Sequence, residues 1–265
     1  MNLPDVYGAP RARLSSHLAP LIPALWLGFG LAIGTIAYPG LAIGAAFIAL
    51  VLLGEHWLPD GLWRTLVLLA SIALAAHLLP GFTASELWPP RLISPDAPAY
   101  ALRLSWDKAL VGLTLLAWWV SRPSPARGDW RGAVPIGLTT LLLTPLLAWL
   151  IGVVAWQPKW PDGLLLWLAI NLGVAILAEE LLFRGLLQPA LIARLGTWPG
   201  LLLTAVLFGA AHLPFSPAFA LVATLAGLGY GLAFQRSGQL RWAIALHAGV
   251  NLLHFLLLSY PLRLA

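Results

Sequence analysis

Long apolar segments alternate with short turns rich in proline and glycine along most of the chain. A transmembrane helix needs about 20 mostly apolar residues. This criterion marks nine candidate spans, at residues 20–38, 40–54, 62–80, 107–120, 134–156, 163–190, 198–213, 217–235 and 240–259. Turns such as residues 157–163 and 213–217 end helices because proline lacks an amide donor. The pattern predicts an all-α, polytopic transmembrane helix bundle of about eight or nine spans.

The composition supports a membrane protein and excludes several other classes. Apolar residues make up 60% of the 265 positions and charged residues only 9%, against roughly 25% charged residues in soluble domains. This number of charged side chains is too small to cover the surface of a soluble protein of this size. We therefore expect the apolar surface of the protein to contact the lipid bilayer. The chain has no cysteine, which excludes disulfides, a thiolate zinc site and a cysteine nucleophile.

The distribution of basic residues along the chain predicts a membrane topology and does not indicate a nucleic-acid partner. The net charge is +5, but the basic residues are scattered singly through apolar sequence and do not form one basic face. A cytoplasmic N-terminus puts ten basic residues inside and five outside, in accord with the positive-inside rule. The ten inside are Arg11, Arg13, Arg64, Arg122, Arg127, Arg131, Arg184, Arg194, Arg236 and Arg241, and the five outside are Arg91, Arg103, Lys108, Lys159 and Arg263.

We therefore predict a multi-pass protein with a cytoplasmic N-terminus. The bias towards alanine, leucine, tryptophan and arginine suggests a bacterial inner (cell) membrane. Residues 81–106 form the only connection between predicted spans that is long enough for a small extramembrane element. We expect this connection to lie along the interface, with Trp88 and Tyr100 at headgroup level.

Ionisable residues inside a predicted span are the first candidates for function, because each costs about 2.5 to 3.5 kcal/mol to insert. The span at residues 163–190 contains Glu179, Glu180 and Arg184. Arg184 lies four residues after Glu180, so the two share a helix face and can neutralise each other. Glu179 points about 100° away and has no partner in its own helix, as expected of a general acid or base. The alternative is that both glutamates only stabilise the helix packing.

Histidines near two later spans are further candidates. His212 ends one span, and His247, Asn251 and His254 form a polar stripe on another because their spacing is i, i+4 and i+7. Such a stripe must face a cavity or other protein. A helix-end cap for His212 and interhelical hydrogen bonds for the stripe stay open as alternatives. A rise of about 1.5 Å per residue places Glu179, His212 and His247 in one membrane layer, so a common site is feasible.

Three ordered motifs resemble those of the CPBP family, which comprises CAAX prenyl endopeptidases and bacteriocin-processing intramembrane proteases and is also called the Abi family. The resemblance covers residues 132–260. It predicts an N-terminal accessory transmembrane region at residues 1–130 and a protease domain at residues 131–262. The motifs are Glu179-Glu180-x-x-x-Arg184, Phe208-x-x-x-His212 and His247-x-x-x-Asn251.

The resemblance implies an intramembrane endopeptidase and assigns a role to each motif residue. Glu179 and His212 would activate a water molecule for attack on a peptide carbonyl, and His247 and Asn251 would stabilise the oxyanion. These roles are chemically sound, since a carboxylate and an imidazole can share the proton of one water. The substrate would be a peptide or protein in or at the membrane, including lipidated ones.

The resemblance also implies supporting residues and leaves the cofactor open. Glu180 and Arg184 would orient Glu179. Two histidines and a glutamate can hold one divalent metal such as zinc with an open fourth position, so Glu179, His212 and His247 are candidate ligands. A metal-free mechanism uses the same residues.

Two other functions compete with proteolysis. Intramembrane Glu, His and Arg also mark ion pathways, so a membrane transporter or proton-conducting protein is one alternative. The other is a catalytically inactive family member that acts as a binding or immunity partner. Against transport, the sequence has no internal repeat visible by eye, and its polar groups converge on one layer.

Overall fold

The fold is a bundle of helices, given by a computed structural model that describes residue 18, residues 20–122 and residues 128–264. Within these residues one antiparallel pair of short strands, β1 (Ser85–Glu86) and β2 (Arg103–Leu104), accompanies the helices. The all-α prediction is confirmed. The helices are α1 (Leu21–Ala32), α2 (Tyr38–Leu52), α3 (Asp60–Ala75), α4 (Trp106–Val120), α5 (Trp130–Leu150), α6 (Leu164–Leu195), α7 (Thr197–Ala210), α8 (Pro217–Ser237) and α9 (Leu240–Leu257), and a 3-10 turn (Gly54–His56) follows α2.

Four helices, α5, α6, α8 and α9, are long and apolar enough to cross a membrane on their own. The remaining helices have 12 to 16 residues, or about 18 to 24 Å at 1.5 Å per residue, against a hydrocarbon core of about 30 Å. The chain is an integral membrane protein. The predicted total of eight or nine spans would require the shorter helices to cross as well.

The orientation of the bundle stays a prediction. Three of the basic residues counted as cytoplasmic, Arg11, Arg13 and Arg127, lie outside the described residues.

Helix α6 continues past residue 190, the predicted end of its span, to Leu195. Its two π-helical stretches, Asn171–Ile176 and Leu181–Leu187, flank the short α-helical stretch Leu177–Glu180. Pro189 then occupies the first turn of a new α-helical stretch, a position that tolerates a missing amide donor. Single π-helical turns inside α-helices are frequent at functional sites, and here they flank both glutamates.

Two helices organise the packing of the bundle. Helix α8 packs against α5, α7 and α9, while α4 packs against α1, α2 and α3 on one side and against the middle of α6 on the other. One apolar core runs through both groups, from Leu27 and Trp63 to Leu181 and Leu246. The predicted division at residue 130 stays a prediction, and α4 lies directly against the segment that carries the glutamates.

The connection at residues 81–106 contains the strand pair and packs partly against the helices. The β1 and β2 strands pair with Ser85 opposite Leu104. The Trp88 indole is only 8% exposed and lies in a cluster with Trp167 and Phe255, whose rings stack 4.0 Å apart. The placement of this connection at the membrane interface stays a prediction.

A close approach of Gly40 and Gly81 joins the start of α2 to the connection that follows α3. The Ala37 amide donates to the Gly81 carbonyl at 2.9 Å, and a methyl carbon at Gly40 would lie 2.7 Å from the Gly81 carbonyl carbon. We expect Gly40→Ala to destabilise the protein by about 1 to 3 kcal/mol through this overlap. The measurement is the midpoint of thermal unfolding in detergent.

The matched control is Gly28→Ala on α1, where nothing lies within 4 Å of the added carbon. Its midpoint should be unchanged or slightly raised, because alanine favours a helix more than glycine does. A Gly40→Ala protein as stable as the Gly28→Ala protein would contradict the contact.

Candidate active site

The fully buried ion pair of Glu180 and Arg184 lies at the centre of the site. Arg184 Nη1 donates to Glu180 Oε1 at 3.0 Å, and both side chains are 0% exposed. Arg184 Nη2 donates to the Gly227 carbonyl on α8 at 2.8 Å. The pair predicted from the i, i+4 spacing forms. A buried carboxylate needs such a partner, because an uncompensated ion costs several kcal/mol.

His247 on α9 is held by the same carboxylate. Its Nδ1 lies 2.7 Å from Glu180 Oε1, and its ring stacks on Tyr230 with the centroids 4.6 Å apart. A carboxylate only accepts hydrogen bonds, so the Nδ1 atom carries the proton of this bond. The other nitrogen, Nε2, points towards Glu179 and lies 3.9 Å from its Oε2. His247 is therefore oriented by Glu180, with one nitrogen available on the side of Glu179.

The two carboxylate oxygens of Glu179 have different neighbours. Oε1 accepts from Lys108 Nζ at 2.7 Å, whereas Oε2 faces His247. The Lys108 and Glu179 side chains are 22% and 20% exposed, so this pair lies at the edge of the buried network. With neutral histidines, the two carboxylates of Glu179 and Glu180 balance the charges of Lys108 and Arg184.

His212 lies just beyond the end of α7. Its Nδ1 is 2.8 Å from the Phe208 carbonyl, which can only accept, so Nδ1 is the donor and Nε2 is left as an acceptor in the neutral ring. The Phe208 ring lies near both imidazoles, with its centroid 4.9 Å from that of His212 and 5.8 Å from that of His247. The structure thus brings both histidines close to one aromatic ring.

Within the polar stripe on α9, Asn251 makes an interhelical contact of the kind that the sequence left open as an alternative, whereas His254 contacts the segment that follows α9. Asn251 Nδ2 donates to Asn171 Oδ1 on α6 at 3.1 Å. His254 Nε2 lies 2.9 Å from the Ser259 carbonyl. The Asn251 amide has a second N–H, which this contact does not use.

A cavity between the helices gives the polar groups access to a ligand. Its apolar walls come largely from α5, α8 and α9, and its polar lining includes the imidazoles of His212, His247 and His254 and the Asn251 amide. Glu179 adjoins it through its contact with His247. The lining residues are Thr144, Pro145, Ala148, Val154, Phe208, His212, Phe219, Val222, Ala223, Ala226, Tyr230, His247, Val250, Asn251, His254 and Leu258.

The segment that carries this arrangement matches a known family. Residues 161–253 match the family described as Type II CAAX prenyl endopeptidase Rce1-like. Residues 161–253 are similar to this family and are called the Rce1-like segment. The resemblance drawn from the three motifs is thereby confirmed, and all the predicted catalytic residues lie in the Rce1-like segment. The family supports peptidase activity at a membrane. No curated protein and no solved structure matches the chain.

The candidate metal ligands of the Rce1-like segment are not arranged as a metal centre. Among the described residues, no group of three His, Cys, Asp or Glu side chains is placed to hold a metal ion. The Lys108 ammonium already occupies one oxygen of Glu179 at 2.7 Å, and a fixed positive charge beside a carboxylate opposes binding of a second cation there. Residues Glu179, His212 and His247 in these positions do not fit a zinc site.

Sequence reasoning missed two partners of the site, Lys108 and Asn171. A signal for Lys108 was present, because Glu179 had no partner in its own helix and a carboxylate in a membrane span requires a counter-charge. Lys108 stands at the start of a predicted span, and the topology count treated it only as an outside charge. Asn171 had no signal beyond its position in the same span as Glu179.

Replacement of Arg184 tests the buried network. Arg184→Met leaves Glu180 buried beside His247 without its cation, so we expect a loss of about 3 to 5 kcal/mol in stability. The exposed pair of Arg236 with Asp129, at 3.0 Å, gives the control: Arg236→Met should cost less than about 1 kcal/mol. Unfolding of both variants in detergent provides the comparison, and equal effects would mean that the buried pair contributes no more than a surface pair.

Proposed function

We propose that this protein is an intramembrane endopeptidase that hydrolyses peptide bonds of membrane-associated or lipidated substrates, with Glu179 and His212 as the groups that activate water. The observation that carries the proposal is the placement of His212, His247 and Asn251 around one cavity, with the Glu179 carboxylate beside His247. The family match supports the peptidase class.

The geometry around Glu179 suits the activation of one water molecule. Oε2 of Glu179 and Nε2 of His247 are 3.9 Å apart, too far for a direct hydrogen bond but close enough for one water to contact both. His212, whose Nε2 is the acceptor nitrogen of the neutral ring, lines the same cavity. In the proposed step the water oxygen attacks the peptide carbonyl carbon while its proton passes to Glu179 or His212.

The oxyanion that forms needs donors, which His247 and Asn251 supply. Since Nδ1 of His247 donates to Glu180, its Nε2 is the nitrogen that donates to the oxyanion when the ring is an imidazolium. The second N–H of the Asn251 amide is the other donor. Collapse of the tetrahedral intermediate breaks the C–N bond, and the proton taken from water passes to the leaving amine.

The apolar walls of the cavity agree with a substrate that reaches the site from the bilayer. Most of the side chains that line the cavity are aliphatic or aromatic, and burial of an apolar chain contributes about 25 cal/mol per Å². A transport function has no comparable support, because the family that residues 161–253 match is one of peptidases.

The proposal is tested by peptide cleavage with purified, reconstituted protein. The substrates are a peptide library that includes prenylated C-terminal peptides. Glu179→Gln keeps the shape of the side chain but removes its basicity, so we expect turnover to fall by about a hundredfold or more. Glu86→Gln, at an exposed strand position, is the matched control and should cleave like the wild type.

Cleavage by Glu179→Gln at the wild-type rate would refute the assigned role of Glu179. Potential-driven flux without any cleavage would instead favour transport.

Chelation tests the metal-free form of the mechanism. Because the described side chains form no three-ligand site, we expect activity to survive dialysis against a strong chelator. The measurement is the initial rate before and after dialysis, with total metal content determined in parallel. A rate that is lost on dialysis and restored by added zinc would refute the metal-free route and return Glu179, His212 and His247 to the role of ligands.

A further inference from the structure

We propose that Lys108, from the region before the Rce1-like segment, is a positioning residue for Glu179. The inference rests on the proposed hydrolysis and extends it: the ammonium group holds one carboxylate oxygen so that the other faces His247 and the water. The contact joins Lys108 Nζ to Glu179 Oε1 at 2.7 Å across 71 positions of sequence. The matched family segment begins at residue 161, so the N-terminal region completes the site.

The backbone of α4 is fixed where Lys108 enters the site. The preceding residue, Asp107, is buried, and its carboxylate contacts His77 Nδ1 at 2.8 Å and the Lys108 amide at 2.8 Å. One turn later, Gly112 lies against the backbone of Ala178, where an added methyl carbon would stand 3.2 Å from the Ala178 nitrogen. Lys108 and Gly112 share a helix face because they are four residues apart. The close approach at Ala178 therefore directs Lys108 to the next residue, Glu179.

The charges around Glu179 explain why the cation matters. The groups that face it are Lys108 from α4, Glu180 and Arg184 from its own helix, His247 from α9 and His212 from the turn after α7. Lys108 and Arg184 balance the two carboxylates. Without Lys108 the site carries a net charge of −1, and a partly buried carboxylate with an uncompensated negative neighbour binds a proton more readily. Glu179 must be ionised to accept a proton from water.

This reasoning predicts a pH-dependent defect in the Lys108→Met protein. In the full-length reconstituted protein, we expect kcat to fall by about tenfold to a hundredfold at an acidic pH and by less at an alkaline pH. KM should change by less than about threefold, since the substrate-binding walls are untouched. Lys108→Arg retains the cation and should restore most of the activity at both pH values.

The control and a second measurement separate this role from general damage. Arg64→Met removes the exposed pair with Asp60, at 2.8 Å, in the same N-terminal region and should leave the pH profile unchanged. A double-mutant cycle of Lys108→Met with Glu179→Gln, read as unfolding midpoints in detergent, should show coupling between the two residues whether or not a substrate is cleaved.

The outcomes distinguish the inference from the proposed function. Three results would overturn the role of Lys108 while proteolysis stands. The first is a pH profile of Lys108→Met with the same shape as that of the wild type. The others are an equal loss of activity at every pH that Lys108→Arg does not restore, and a double-mutant cycle without coupling. Absence of cleavage by the wild type would overturn the proteolysis and with it this role, even where the cycle still shows the ion pair.

Discussion

The structure depends on the neutralisation of one buried carboxylate, that of Glu180. Isolated ions are costly in a low-dielectric interior, and the cost falls only when the ion is paired and hydrogen-bonded. Glu180 on α6 receives Arg184 from its own helix and His247 from α9. Arg184 also donates to the Gly227 carbonyl on α8. One buried charge thus links three helices, and their mutual positions follow from that requirement.

The same requirement shapes the chemistry beside it. Because Glu180 fixes the Nδ1 proton of His247, the opposite nitrogen is directed to the carboxylate of Glu179. Glu179 differs from its neighbour in being at the edge of the network, where Lys108 holds one oxygen and the other is available. Adjacent glutamates in one short helical stretch therefore have different surroundings: Glu180 is enclosed in the buried network, and Glu179, the residue proposed to react, lies at its edge.

Patterns within a single helix were predictable, and contacts between helices were less so. The Glu180–Arg184 pair follows from the i, i+4 geometry alone, which is why it was found in the sequence. The α9 stripe was correctly expected to face protein, but its periodicity could not tell whether Asn251 meets Asn171 or a substrate. The packing of Trp88 in a cluster with Trp167 was not predictable, because an indole has an apolar body and a polar N–H and its pattern does not name a partner.

The sequence by itself determined that the chain is a helical membrane protein, and its motif spacing identified the Rce1-like segment. Both depend on local periodicity and composition, which are properties of neighbouring residues. Only the tertiary structure decided the pairings of Lys108 with Glu179, of Glu180 with His247 and of Asn171 with Asn251, each 67 to 80 positions apart. Such contacts depend on the distance between two packed helices and on the rotation of each about its axis. The hydrophobic periodicity of one helix does not specify either quantity.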